Sequence, residues 1–203
     1  GVNEKGLTIV SASSNVPDKL VDTQPDLHGV MRKVVASYAS VEAVLADATA
    51  SFSQARPNYY LISDRSNVLT VEVGLNGKFS TKITERGVTS HTNHYTDPAL
   101  AEFTAFKTGA SSGARLARID SLLATAPRPL NAALFATMSR DQVAGPNNSL
   151  WRSGTGKNAQ TLASWIVETP VEGAPRLHLV IANPGEAEYT KELLLDAAFW
   201  QRS

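Results

Sequence analysis

Apolar and polar positions change their period four times along this chain. Residues 7–12 alternate behind a turn marked by Asn3 and Gly6, which predicts a strand, and Ser13-Ser14-Asn15-Val16-Pro17-Asp18 ends it in a polar loop. Residues 30–39 and 41–51 follow a helical period. Ser40 is placed to cap the second of these, with Val41, Val44, Leu45 and Ala48 sharing one face. From Asn58 the period falls to two: residues 59–63, a turn at Asp64-Arg65-Ser66-Asn67, residues 68–73 and a strand around 77–83 predict an antiparallel meander. Residues 98–106 and 111–124 read as helices, and 141–148 as a Gly/Pro/Asn-rich loop. Residues 161–168 and 177–183 read as returning strands, broken by Pro184-Gly185. Helices grouped apart from antiparallel strands predict an α+β fold. With no repeat or dividing linker, a single domain over 1–203 is expected.

Composition narrows the function. A hydrophobic fraction of 42% in 203 residues is enough for a core. Lysine plus arginine equals aspartate plus glutamate at 19 each, so the basic surplus that phosphate-backbone binding requires is missing and no nucleic-acid partner is expected. No apolar run approaches the roughly 20 residues of a membrane-spanning helix, and no charged-then-apolar leader opens the chain. The expectation is a soluble protein without a membrane partner, in the cytoplasm or periplasm of a bacterium. Cysteine is absent, which removes disulfides, thiolate metal sites and a cysteine nucleophile within these residues.

The strongest candidate for chemistry is His91-Thr92-Asn93-His94-Tyr95. Asn93 is a short amide donor at a strand end, able to hydrogen-bond an oxyanion or to cap the following helix; on the residues alone, capping is the better reading. In Ser111-Ser112-Gly113-Ala114-Arg115-Leu116-Ala117-Arg118, the two arginines share a face beside an apolar stripe, a pattern that usually means a solvated face. His91, His94 and Asp97 sit at a strand-to-loop junction and not on one helix face, so no metal is assigned. Gly154-Thr155-Gly156-Lys157-Asn158 fails as a phosphate loop, because Trp151 stands where a glycine and Asn158 where a serine or threonine belongs. It reads as a hairpin turn. Ser164 and His178 read as ordinary sheet residues, and Trp151, Trp165 and Trp200 as core or rim.

Taken in order, the Gly1-Val2-Asn3-Glu4-Lys5-Gly6-Leu7 opening, Asp64 with Val71-Glu72, Thr92-Asn93, Ser111-Ser112-x-x-Arg115 and the closing Asn183-Pro184-Gly185 form a series. This series resembles the N-terminal-nucleophile amide hydrolases that include choloylglycine hydrolase, penicillin V acylase and the isopenicillin-N acyltransferase. The resemblance implies an αββα sandwich of antiparallel sheets, truncated at its N-terminus, and hydrolysis or acyl transfer on linear amides without a cofactor. It implies that Asn93 stabilises the oxyanion and that Arg115 reaches into the active site, both facing one reacting carbonyl. Ser13 stands where the bile-salt enzymes have an asparagine. Ser13 and Ser14 can still offer hydroxyl hydrogen bonds, Asn15 only if the register slips, and His94 lies beside the substrate.

The mechanism implied uses the α-amine of an N-terminal Cys, Ser or Thr as base, and Gly1 has the amine without the nucleophile. These 203 residues alone are therefore expected to be inert toward acyl amides, with a preceding segment, a separate chain or a homodimer completing the sheet. The expected partner is a small acyl amide or acyl thioester. The alternative is a non-catalytic remnant or a small-molecule-binding protein with the same fold.

Overall fold

The two-residue period builds the first sheet. In the computed structural model, which describes residues 1–21, 29–105 and 109–201, β1 (Thr8–Ser13), β2 (Asn58–Ser63), β3 (Val68–Val73) and β4 (Phe79–Thr84) pair antiparallel in that order. Ile9 lies opposite Ile62 and Ile62 opposite Leu69, so one face of the sheet is a continuous apolar surface. Three short helices cover it: α2 (Val30–Ser37), α3 (Val41–Ala46) and α4 (Ala48–Phe52), following a single turn, α1 (Asp18–Val21). Val30, Val34, Val41, Val44 and Phe52 are buried in the same cluster as Leu7, Ile9, Ile62 and Val71. On the other face, Tyr59 packs with Val16, Leu75, Tyr95, Leu100 and Phe103. These elements belong to one compact unit, Gly1–Gly109.

Two side chains stitch this unit together. The Asn3 carboxamide oxygen accepts from the Lys5 and Leu7 amides, and its nitrogen donates to the Val35 and Tyr38 carbonyls. The opening turn is thereby tied to the end of α2. Asp64 accepts from the Ser66 and Asn67 amides through Oδ1, at 2.8 and 2.9 Å, and from the Val41 amide through Oδ2 at 2.7 Å. One carboxylate closes the hairpin turn and completes the N-terminus of α3, where Ser40 caps Ala43 as the sequence predicts.

Several expectations need correction. Residues 41–51 are two helices because Asp47 leaves helical geometry (φ −109°, ψ 23°), its carboxylate drawn to the Tyr38 hydroxyl and to Lys33. Leu45 does not share the buried face; the narrow contact stripe of so short a helix is filled by Val41 and Val44. The helix expected over 98–106 is a 3-10 segment, Pro98–Ala105, kinked at Leu100, and Phe106 lies outside the described residues.

The second unit, Ala110–Ser203, contains α5 (Ala110–Thr125), α6 (Ala132–Ser139), α7 (Gly145–Asn148), β5 (Ala163–Glu168), β6 (Arg176–Ile181), β7 (Tyr189–Leu194) and α8 (Ala197–Trp200). The strands form an antiparallel sheet in chain order. The expected final strand pair is thus a trio. Pro184-Gly185 is the β6–β7 turn, with Gly185 in the left-handed region (φ 82°) that glycine adopts without strain. The loop expected over 141–148 contains a helical turn, α7, and α6 was not anticipated, although Asn131 caps it by accepting from the Leu134 amide. No helix of the described residues is long and apolar enough to cross a membrane.

Asp64→Ala is expected to cost about 1–2 kcal/mol, the upper range for a lost cap, because three amides lose their acceptor at once. Asp64→Asn, which keeps a carbonyl oxygen, is expected to cost less. Urea unfolding of both variants checks the order.

Candidate active site

β3 presents Glu72 on the sheet face away from the helices, with a side chain only 2% exposed. A carboxylate so buried is tolerable only with a full set of donors. His91 Nε2 approaches Oε1 at 2.9 Å, the Thr96 amide lies at 2.9 and 3.1 Å from the two oxygens, and the Thr96 hydroxyl and Asp97 amide complete the set. Burial pushes the Glu72 carboxyl up, but the hydrogen bonds from His91, Thr96 and Asp97 together outweigh it and hold the group below the ordinary glutamate range.

The 91–97 segment is therefore wrapped around one side chain. His91 Nδ1 lies 2.8 Å from the Thr92 carbonyl. Its ring packs on Tyr59 with centroids 4.6 Å apart, and Tyr59 meets Tyr95 edge-on at 5.0 Å. Burial pushes both phenols up, so both stay neutral donors, Tyr59 to Asn15 Oδ1 and Tyr95 to the Val73 carbonyl. A cavity of about 100 Å³ lies against this face, bounded by Val10, Ala12, Tyr59, Leu61 and His91 among others.

The first unit brings Ser13 and Asn93 together. Asn93 Nδ2 donates to the Ser13 carbonyl at 2.9 Å, across 80 positions of sequence. Capping by Asn93 is overturned: the segment after it is capped by Asp97, whose Oδ1 accepts from the Ala99 amide at 2.8 Å. Ser13 meets Asn93 through its main chain while the residue is exposed; Ser14 is half-buried, and Asn15 serves Tyr59. His94 Nδ1 lies 3.2 Å from the Thr92 hydroxyl. His91 has both ring nitrogens committed, and among the described residues no group of three or more His, Asp or Glu is arranged to hold a metal ion.

In the second unit, Arg115 Nε donates to Ser111 Oγ at 3.2 Å, and that hydroxyl donates to the Asn147 carbonyl at 2.8 Å. Burial, and then the charge of Arg152, push the Arg115 guanidinium below the usual arginine range. Arg118 is not a solvated neighbour: its Nε and Nη2 reach Asp141 Oδ2 at 3.0 and 2.5 Å, fastening α5 to the chain beyond α6. Ser164 and His178 are sheet residues, the first bonded to Ser139 and the second between Glu168 and Glu192. Residues 154–158 form a turn closed by Asn158 N to the Thr155 carbonyl. Sequence reasoning named Glu72 only as a motif letter. The signal it left was an acidic residue inside an otherwise apolar strand end, Val71-Glu72-Val73.

Helices grouped apart from two antiparallel sheets make this an α+β protein of the N-terminal-nucleophile type. The chain belongs to the family described as acyl-coenzyme A:6-aminopenicillanic acid acyl-transferase, whose model matches residues 1–184. Membership places it among acyltransferases and hydrolases of acyl-amide substrates. No curated protein matches it.

Glu72→Gln turns an acceptor oxygen into an amide NH2 group facing donors, and is expected to cost about 3–5 kcal/mol, as for a broken buried pair. Because folding lowers the Glu72 pKa, its contribution is complete above the unfolded-state value and is lost as pH falls through the lower folded value. Urea unfolding of wild type at neutral pH and below about pH 4 should show that acid-side loss, and Glu72→Gln should show less of it.

Proposed function

We propose that the protein acts on linear, non-peptide amides of an acylated amine, moving the acyl group to water or to a second amine. What supports the reading is the placement of Asn93 against the end of β1 in a chain of this family. When a nucleophile adds to an amide carbonyl, the oxygen gains negative charge, and a preoriented amide donor stabilises that charge more than it stabilises the neutral substrate. The Ser13 contact fixes the plane of the Asn93 carboxamide, and the Glu72 cluster fixes the segment that carries it. In this reading Ser13, Ser14 and His94 contact the substrate. A nucleophile supplied with the chain bonds the acyl carbon as the C–N bond breaks and the amine leaves with the nucleophile's proton; the acyl group then passes to water in hydrolysis, or to an acceptor amine in transfer, where an acyl thioester is the alternative donor, and the nucleophile is freed with its proton restored. The partners proposed are small molecules.

One observation favours a second reading, that of a binding protein without turnover: the Asn93 amide is already engaged by a main-chain carbonyl and serves as a structural tie.

Release of free amine from a panel that includes penicillin V and conjugated bile acids separates the two. Turnover is expected only when a nucleophile-bearing segment is supplied with these 203 residues, with Asn93→Ala then lowering kcat about 10²–10³-fold, as for loss of one oxyanion donor, at nearly unchanged thermal stability. Ligand binding without amine release would establish the second reading.

A further inference from the structure

The second unit holds a cavity of about 290 Å³ that the chemistry above does not use. Phe135, Met138, Trp151 and Trp165 line it, with Ser139, Thr161 and Ser164 as its hydroxyl-bearing side chains. Its volume lies just under the roughly 300 Å³ at which small-molecule pockets begin, room for one ring and a short appendage. Phe135 is 38% exposed although it lines the cavity, an aromatic edge left at the wall. Three rings and a thioether favour an aromatic occupant.

Charge and hydrogen positions restrict the occupant further. The Arg140 guanidinium lies 4.0 Å over the Trp151 ring, but its two terminal nitrogens meet both Glu188 oxygens at 2.6 Å. That cation is matched and makes no call for an anion. Ser139 Oγ is 2.8 Å from the Ala136 carbonyl, which cannot donate, so the Ser139 hydrogen is committed there. The 3.3 Å contact between Ser164 and Ser139 then uses the Ser164 hydrogen. Both serine hydrogens are spent, and Ser164 turns only lone pairs to the cavity. An N–H donor satisfies them. Thr161 Oγ1 accepts from the Arg152 amide and keeps its own hydrogen, which suits a carbonyl oxygen; a carboxylate meets Ser164 lone pair against lone pair and loses its hydration in an apolar cavity.

We propose that this cavity binds an uncharged, one-ring aromatic amide that carries an N–H, with the ring among Phe135, Trp151 and Trp165 and the N–H on Ser164. The site and its selectivity do not depend on turnover, so its test leaves amine release aside. The indole N–H resonances of Trp151, Trp165 and Trp200 are followed during titration with N-methylbenzamide, N,N-dimethylbenzamide and benzoate. Trp200, whose indole donates to the Leu195 carbonyl, does not line the cavity and is the internal reference. The expected result is a saturable shift of Trp151 and Trp165 alone, with N-methylbenzamide bound about fivefold tighter than the dimethyl amide, the worth of one net hydrogen bond, and benzoate weakest. Ser164→Ala should abolish the preference between the two amides while leaving the shift. Ser139→Ala, which returns the Ser164 hydrogen to the cavity, should narrow the preference and improve benzoate binding. No saturable shift, equal affinity for all three compounds, or a preference that survives both substitutions would overturn the proposal.

Discussion

The buried carboxylate of Glu72 is the constraint on which the first unit depends. An ionised group removed from water must recover its lost hydration from the protein, and here every donor but one comes from Thr96 and Asp97, with His91 as the exception. The segment cannot drift without stripping the charge of its partners. The loop that carries Asn93 is therefore held by electrostatics more than by apolar contact, with the Tyr59, Tyr95 and Phe103 rings packed against it as a dry surround. Rigidity at Asn93 is a consequence of satisfying a residue two strands away from it.

The second unit solves a similar problem with a cation. Arg118 and Asp141 meet on one oxygen, with the Asp141 side chain 8% exposed, and the Trp151 amide donates to the Asp141 carbonyl. The aspartate is thereby bonded from both its side chain and its backbone. The chain around it carries Trp151 into the wall of the aromatic cavity. Few strand residues of this unit are buried, so ion pairs such as Arg140 with Glu188 order side chains that packing alone leaves half-exposed. Such pairs contribute little free energy each when solvated. Their effect is on geometry.

Much of the first sheet was legible because its strands are half-buried: period-two alternation marked residues 59–63 and 68–73, close to β2 and β3 as observed. β7 was illegible for the opposite reason. Nearly every residue from Tyr189 to Leu194 is exposed, so no face selects apolar side chains. The break at Asp47 was hidden because its cause, the Tyr38 hydroxyl, is nine positions away. Ser13 and Asn93 were both named, but their contact runs through a main-chain carbonyl, which carries no signature in residue type. Arg118 looked like a surface cation until Asp141, 23 positions on, was seen beneath it.

The double use of Asp64 changes what kind of turn residues 64–67 form. Exposed hairpin tips are ordinarily where a chain accepts extra residues, because nothing else is attached to them. This one also supplies the missing acceptor for the first amide of α3, a six-residue helix too short to persist by itself. Lengthening the tip would swing the carboxylate off the helix end, so the hairpin and α3 gain or lose their order together. An apparently permissive surface loop is a joint, and a length change there would be felt in the helical layer on the far side of the sheet edge.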